Sequence, residues 1–131
     1  VEYLSPPNDA DHWDLIEGQG SLFHASYAGV SLGLLHGAQA DALVMCHEPT
    51  RPHMRGLPDY QLPDLASCIE ANEGAARLTN PAARCIGISI NTAGLDARAA
   101  DECLRNAEKT YGLPAVDPFR TGVARIVDAL G

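Results

Sequence analysis

A chain of 131 residues with 46% hydrophobic side chains can bury one core without disulfide or metal staples, and it is short for two ordinary domains. With 17 Asp and Glu against 9 Lys and Arg, a formal net charge of −8, it lacks the basic face that phosphate backbones need, so nucleic acid is not an expected partner. No apolar run approaches the ~20 residues that span a bilayer, and no basic-then-apolar leader opens the chain; no membrane partner is expected, and the cytoplasm is the expected compartment.

The chain opens on Val1 and a polar stretch, Ser5-Pro6-Pro7-Asn8-Asp9, which reads as a piece of a longer polypeptide. A first strand is expected over Trp13 to Glu17. Tyr27 to Gly37 is a weaker helix, because Gly29, Gly33 and Gly37 each cost about 1 kcal/mol against Ala; small residues at every fourth position would instead let it press on a neighbour. A second strand runs from Ala42 to Cys46. The loop from Glu48 to Pro63 carries Pro49, Pro52 and Pro58 and is the one long irregular insertion, a length that usually serves a function.

Asp64 caps the next helix, whose Leu65, Cys68, Ile69, Ala75 and Ala76 share a stripe that stops near Asn80-Pro81. Cys85 to Ile90 is the third strand. Asp96 caps a helix with Ala100, Cys103, Leu104, Ala107 and Tyr111 on its apolar face, Arg98, Asp101, Glu102, Arg105 and Lys109 on the other, and Gly112 and Pro114 as the stop. Ala115 to Asp117 is the fourth strand, and a last helix after Thr121 turns Val123, Ile126, Val127 and Leu130 inward. Strands apolar on both sides that alternate with helices predict an α/β fold, a parallel sheet with helices on both faces, in a single domain over 1–131. Cys46, Cys68, Cys85 and Cys103 sit in apolar runs with no C-x-x-C pair, as buried thiols in a reducing compartment do.

In open parallel sheets ligands bind beyond the carboxyl ends of the strands. Each expected strand runs into polar or glycine-rich residues: Glu17-Gly18-Gln19-Gly20-Ser21, His47-Glu48-Pro49-Thr50-Arg51, Asn91-Thr92-Ala93-Gly94 and Asp117-Pro118-Phe119-Arg120. Glu17 is placed to hold Mg²⁺ against phosphates, with Gly18 and Gly20 letting backbone N–H groups approach. His47, Arg51, His53 and Arg55 make a local cationic loop in an acidic protein, suited to a phosphate or carboxylate unless Glu48 and Asp59 pair with it. His24 and His36 flank the glycine-spaced segment, and either could act as a general base. Pro49 and Pro52 forbid the helix a His-Glu zinc motif needs, and Gly-x-Ser-x-Gly is absent, so zinc and acyl-enzyme chemistry are disfavoured. The G-x-x-x-x-G-K-[ST] phosphate loop is also absent: the single lysine, Lys109, sits in a charged helix.

The run Trp13-Asp-Leu-Ile-Glu-Gly-Gln-Gly-Ser-Leu-Phe-His24 resembles the C-terminal domain of DUF1611, a P-loop-like family of domains of unknown function that includes D-glutamate N-acetyltransferases. The resemblance continues through Ser26 to Gly37, Asp41 to Glu48, Arg55 to Tyr60, Thr79-Asn-Pro81, Gly87 to Thr92 and Gly112 to Pro118. It implies a P-loop NTPase-like fold of the dethiobiotin-synthetase branch, with the Walker A part and an N-terminal Rossmann-like domain lying outside these residues. The chain is then the C-terminal portion of a P-loop-like domain, and the missing N-terminal part of the same protein is its first expected partner.

The resemblance further implies that Glu17 helps hold Mg²⁺ and that Asn91 lies near a nucleotide base; Glu17, Gly18, Gly20, Ser21 and Asn91 are the expected cofactor-binding set. The leading functional expectation is part of an N-acetyltransferase that moves an acetyl group from acetyl-CoA to the amine of an acidic amino acid, a small-molecule substrate. In that reading His24 or His47 is the catalytic base, and Arg51, His53, Arg55 and Asp117 bind substrate. Two alternatives remain at this level: a ligase-like enzyme using Mg-ATP, and a non-catalytic folding or oligomerisation fragment with the glycine-spaced helix as its interface. A homo-oligomer is expected in any case, because an open sheet without its P-loop strand exposes apolar edges.

Overall fold

The computed structural model describes residues 1, 3–18 and 20–131. Its elements run α1 (Ala28–Ala38), β1 (Ala42–His47), α2 (Leu65–Ala76), β2 (Arg84–Ile90), α3 (Ala97–Tyr111), β3 (Ala115–Val116) and α4 (Ala124–Asp128). The strands form one parallel sheet in the order β1-β2-β3, and each crossover carries a helix, as parallel neighbours require. This is the expected α/β class.

The two best-formed helices start where their sequences say they should. Asp64 accepts hydrogen bonds from the Ser67 amide at 2.9 Å and the Ser67 hydroxyl at 2.7 Å, and Asp96 accepts from the Ala99 amide at 2.8 Å. α3 ends at Gly112 in the left-handed region, φ 66°. α1 has no side-chain cap, and its last turn closes on Gln39 at φ 50°, a conformation that glycine would adopt more easily. Distant groups hold it instead: Asn80 Nδ2 donates to Gln39 O and to Asp41 Oδ1, and His36 bonds the Ala75 carbonyl at 3.0 Å.

Ile88 and Ile90 pack with Leu104, Ala107 and Ala115, and Leu65 and Ile69 of α2 close over them. A second cluster joins Ile86, Val116 and Ile126. Strand alternation alone would put Ile86 on the face of Ile88 and Ile90. The register, however, jumps from Leu43 opposite Cys85 to Val44 opposite Gly87, so Ile86 is a bulged residue without a partner and turns to α4 instead. Gly87 makes room beside it, since a Cβ there would lie 2.7 Å from Ile126 Cγ1. Helices therefore lie on both faces, but α4 is five residues long and packs chiefly on β2 and β3. On its side of the sheet Val44 and Cys46 of β1 stay exposed.

Against expectation, Trp13 to Glu17 is not a strand: its backbone groups pair with no neighbouring strand, and Trp13 and Leu15 are 62% and 95% exposed. An apolar run becomes a strand only where it lies along a partner edge; β1 is an edge strand of the sheet, but this segment forms no ladder with it. The fourth strand is shorter than expected, Ala115–Val116, with Asp117 just beyond it. In α4 only Ile126 is buried; Val123 and Val127 face solvent, because one short turn can direct few residues to the sheet. Of the four cysteines, all free, only Cys85 is buried, and Cys46 lies on the uncovered face. Nothing comes within 4 Å of a Cβ at Gly29 or Gly33, so packing inside this chain makes no use of their small size.

Candidate active site

The carboxyl ends of the three strands open into one shallow cleft of about 340 Å³, lined by Cys46, His47, Glu48, Arg51, Ser89, Asn91, Pro118 and Phe119. The sheet register explains the convergence. Cys46 stands opposite Ser89 and His47 opposite Ile90, so the residues beyond β1 and β2 emerge side by side, and the Asn91 amide donates to His47 O at 2.8 Å. Gly94 lets the two loops meet: a Cβ there would lie 2.9 Å from both the Cγ2 and Oγ1 atoms of Thr50.

The third wall is held from beneath. Asp117 is buried, and its carboxylate accepts from the Thr92 hydroxyl, from the amides of Thr92 at 3.1 Å and Phe119 at 2.9 Å, and from Arg120 N. Burial alone would raise its pKa; the Thr92 hydroxyl and amide, then the Phe119 and Arg120 amides, outweigh that and hold the carboxyl below its ordinary value. Arg120 donates onward to Leu95 O at 2.9 Å. The carboxylate expected to meet substrate thus ties the end of β2 to the end of β3, and it sets where Asn91 and Phe119 stand.

The histidines separate by their partners. His24 is buried; its Nδ1 accepts from the Ser26 amide at 3.2 Å, so Nε2 carries the proton and donates to Arg55 O at 3.0 Å. Both ring nitrogens are used. His36 bonds α2, His53 Nδ1 bonds Met54 O, and His12 pairs with Asp14. His47 lines the cleft, and its ring makes no hydrogen bond among the described residues. Burial first, and the Arg51 charge second, push its pKa below the ordinary histidine value, with Glu48 opposing. It is the histidine of the cleft whose ring nitrogens are left to a ligand, and its surroundings favour the neutral, proton-accepting form.

Of the expected residues, His47, Arg51 and Asn91 come together in the cleft. Glu17 lies close enough for its charge to raise the Cys46 thiol pKa, after the larger effect of burial. Glu17 makes no hydrogen bond or ion pair among the described residues, and a single free carboxylate is a fitting donor for Mg²⁺, which takes one or two protein oxygens beside phosphates and water. Among the described residues no group of three His, Cys, Asp or Glu forms a metal cage. Gly18 is exposed, Gly20 turns the chain at φ 70°, Ser21 Oγ accepts from the Phe23 amide, and Gln19 of the same run lies outside the described residues. His53 and Arg55 are not part of the cleft lining; they belong to the turn around buried Met54, whose neighbour Arg55 supplies the carbonyl that holds His24. Arg51 is in direct contact with Glu48. Cys46, Glu48, Ser89, Pro118 and Phe119 complete the lining without having been expected as site residues, although each lies at or just past the end of an expected strand.

The family model for the DUF1611 domain of unknown function, its C-terminal P-loop domain, matches residues 1–127. The chain belongs to the DUF1611 family. A D-glutamate N-acetyltransferase from Tritonibacter scottomollicae is 55% identical over 130 residues, which is 99% of this chain and 39% of that protein. A D-glutamate N-acetyltransferase from a Pseudoalteromonas species is 52% identical over 97% of this chain and 38% of its own length. This DUF1611 chain thus spans about two fifths of the curated relatives it matches. The crystal structure of a DUF1611 family protein from Anabaena variabilis superposes with a TM-score of 0.79 at 34% identity, covering 87% of this chain and 34% of that one. No helix among the described residues is long and apolar enough to cross a membrane.

Proposed function

We propose that this domain forms the acceptor side of an N-acetyltransferase that moves an acetyl group from acetyl-CoA to the amine of an acidic amino acid such as D-glutamate. The observation that carries the reading is His47: among the described residues it is the histidine with an unengaged ring, and it stands at the strand ends beside Arg51 and Asn91, with its pKa pushed below the ordinary value by burial first and then by the Arg51 charge. The names of the two relatives support the reaction class.

In this reading Arg51 holds a carboxylate of the acceptor. Asn91, whose Oδ1 accepts from the Ala93 amide at 3.1 Å, keeps its Nδ2 donor for the ligand. Once the acceptor ammonium has given its surplus proton to solvent, the amine nitrogen bonds the acetyl carbonyl carbon and its proton passes to His47; as the C–S bond to coenzyme A breaks, His47 hands that proton to the leaving thiolate. The phosphates of coenzyme A bind in the rest of the longer protein, because this sequence has no Walker A loop. Exposed Trp13, Leu15 and Ile16 support association with that part or between copies, and four free thiols suit a cytoplasmic setting. A second reading, a ligase-like enzyme using Mg-ATP, has one observation in its favour, the unpaired carboxylate of Glu17 among the described residues.

The test is to incubate the intact protein with acetyl-CoA and D-glutamate without nucleotide and to look for the acetylated amino acid by mass spectrometry. His47→Ala should then lower kcat by about 100-fold or more with little change in KM for the acceptor, the scale of a lost general base. The acid limb of the wild-type rate profile should lie below pH ~6.5, the ordinary histidine value. Unchanged turnover in His47→Ala would remove the assignment, and ATP consumption without acetylated product would favour the ligase reading.

A further inference from the structure

Among the described residues the one ion pair in the cleft lining is Glu48 with Arg51, and neither partner is buried: their side chains are 35% and 42% exposed. A half-exposed pair of this kind contributes little to stability, so a ligand that offers the same charges in exchange opens it at small cost. An α-amino acid offers such a set, a carboxylate and an ammonium joined through one carbon and therefore spaced like the two halves of a contacting ion pair. Each half of the protein pair can swap its partner for the oppositely charged group of the ligand, and no charge is left without a partner.

We propose that Glu48 and Arg51 together select an α-amino acid zwitterion, with Arg51 taking the α-carboxylate and Glu48 the α-ammonium, which makes Glu48 a specificity-determining residue. Until a ligand binds, Glu48 stands in for its carboxylate on Arg51. It keeps the guanidinium oriented toward the strand ends and excludes anions that bring no ammonium, since these would leave Glu48 facing a second negative charge. His47 precedes Glu48 at the end of β1, so the nitrogen held by Glu48 lies beside the imidazole that is to take the proton it loses on attack. The inference rests on the acetyltransferase reading for that last step only; the selection itself is a statement about binding.

Binding of three probes to the intact protein, by calorimetry at one salt concentration, separates the contributions. D-glutamate carries both groups, glutarate lacks the ammonium, and 4-aminobutyrate lacks the carboxylate next to it. Wild type should prefer D-glutamate over either analogue by about tenfold or more, the range of a hydrogen bond to a charged group. In Glu48→Gln the preference over glutarate should fall to within about twofold, while that over 4-aminobutyrate persists. Arg51→Gln should do the reverse, and Glu48→Asp should recover part of the lost preference. An unchanged D-glutamate-to-glutarate ratio in Glu48→Gln overturns the proposal, as does wild type that does not bind D-glutamate. Acetylated product with an unchanged ratio would leave the acetyltransferase reading standing and this one fallen. A collapsed ratio with no acetylated product would do the opposite.

Discussion

Between residues 84 and 116 no large apolar side chain is exposed, whereas between residues 3 and 23 six of them are: Tyr3, Leu4, Trp13, Leu15, Ile16 and Phe23. Both stretches are apolar enough to be read as core. The difference is that Ile88 and Ile90 meet α2 and α3 within the same chain, while Leu15 is left almost wholly to solvent. Apolar sequence states what a segment would gain from burial, and topology decides whether a partner exists to supply it. The cleft lies where these two regimes meet. Ser89 and Asn91 of its lining belong to the packed stretch, and Glu17, whose charge reaches Cys46, belongs to the bare one.

The contrast is tested most directly at Ile88, which is fully buried. Ile88→Ala should lower the stability of the chain by about 4 kcal/mol, a lost side chain plus a cavity, read as a shift in urea midpoint at constant slope. A loss below about 1 kcal/mol would mean that the packed half is not packed.

Asp117 probes the boundary between the two regimes. Asp117→Asn removes the charge from the carboxylate that Thr92, Phe119 and Arg120 surround, and should cost about 2 kcal/mol at neutral pH. Because the native pKa is depressed, this contribution is fully present above the unfolded value of about 3.9 and is lost as pH falls through the lower native value. Urea titrations of wild type and variant should therefore differ by a constant amount above pH ~5 and converge below pH ~4. A difference that persists in acid would show that shape rather than charge matters there.

At the other end of the scale, Leu15→Ala should change stability by less than about 0.5 kcal/mol in this chain, as an exposed side chain does. A larger loss would show that the N-terminal stretch is held by contacts of its own.

The parts that could be read from sequence were those governed by neighbours in the chain. Asp64 and Asp96 announce α2 and α3 because a cap is a bond across three residues, and the apolar stripe of α3 needs only helical period. Strand ends bring His47, Arg51 and Asn91 of the expected residues into one cleft, and that juxtaposition was legible from where the expected strands stop. His24 could not be told from His47, because what occupies its ring includes a carbonyl 31 residues away. Asp117 looked like a ligand residue for the same reason, its partner Thr92 lying across the sheet. Trp13 to Glu17 read as a strand because period and apolarity carry no information about an edge to pair with. The exposure of Cys46 results from the shortness of α4, which the run of Val123, Ile126, Val127 and Leu130 conceals.

The contact between Gly94 and Thr50 binds the loop after β1 to the loop after β2, and Arg120 reaches from the third wall to Leu95 of that same second loop. All three rims of the cleft are therefore fastened to one short stretch, Thr92 included, that begins where β2 ends. Such a site is set when the sheet folds. A ligand arriving there finds its partners already in place, and the only rearrangement asked of the protein is an exchange of charges at its surface.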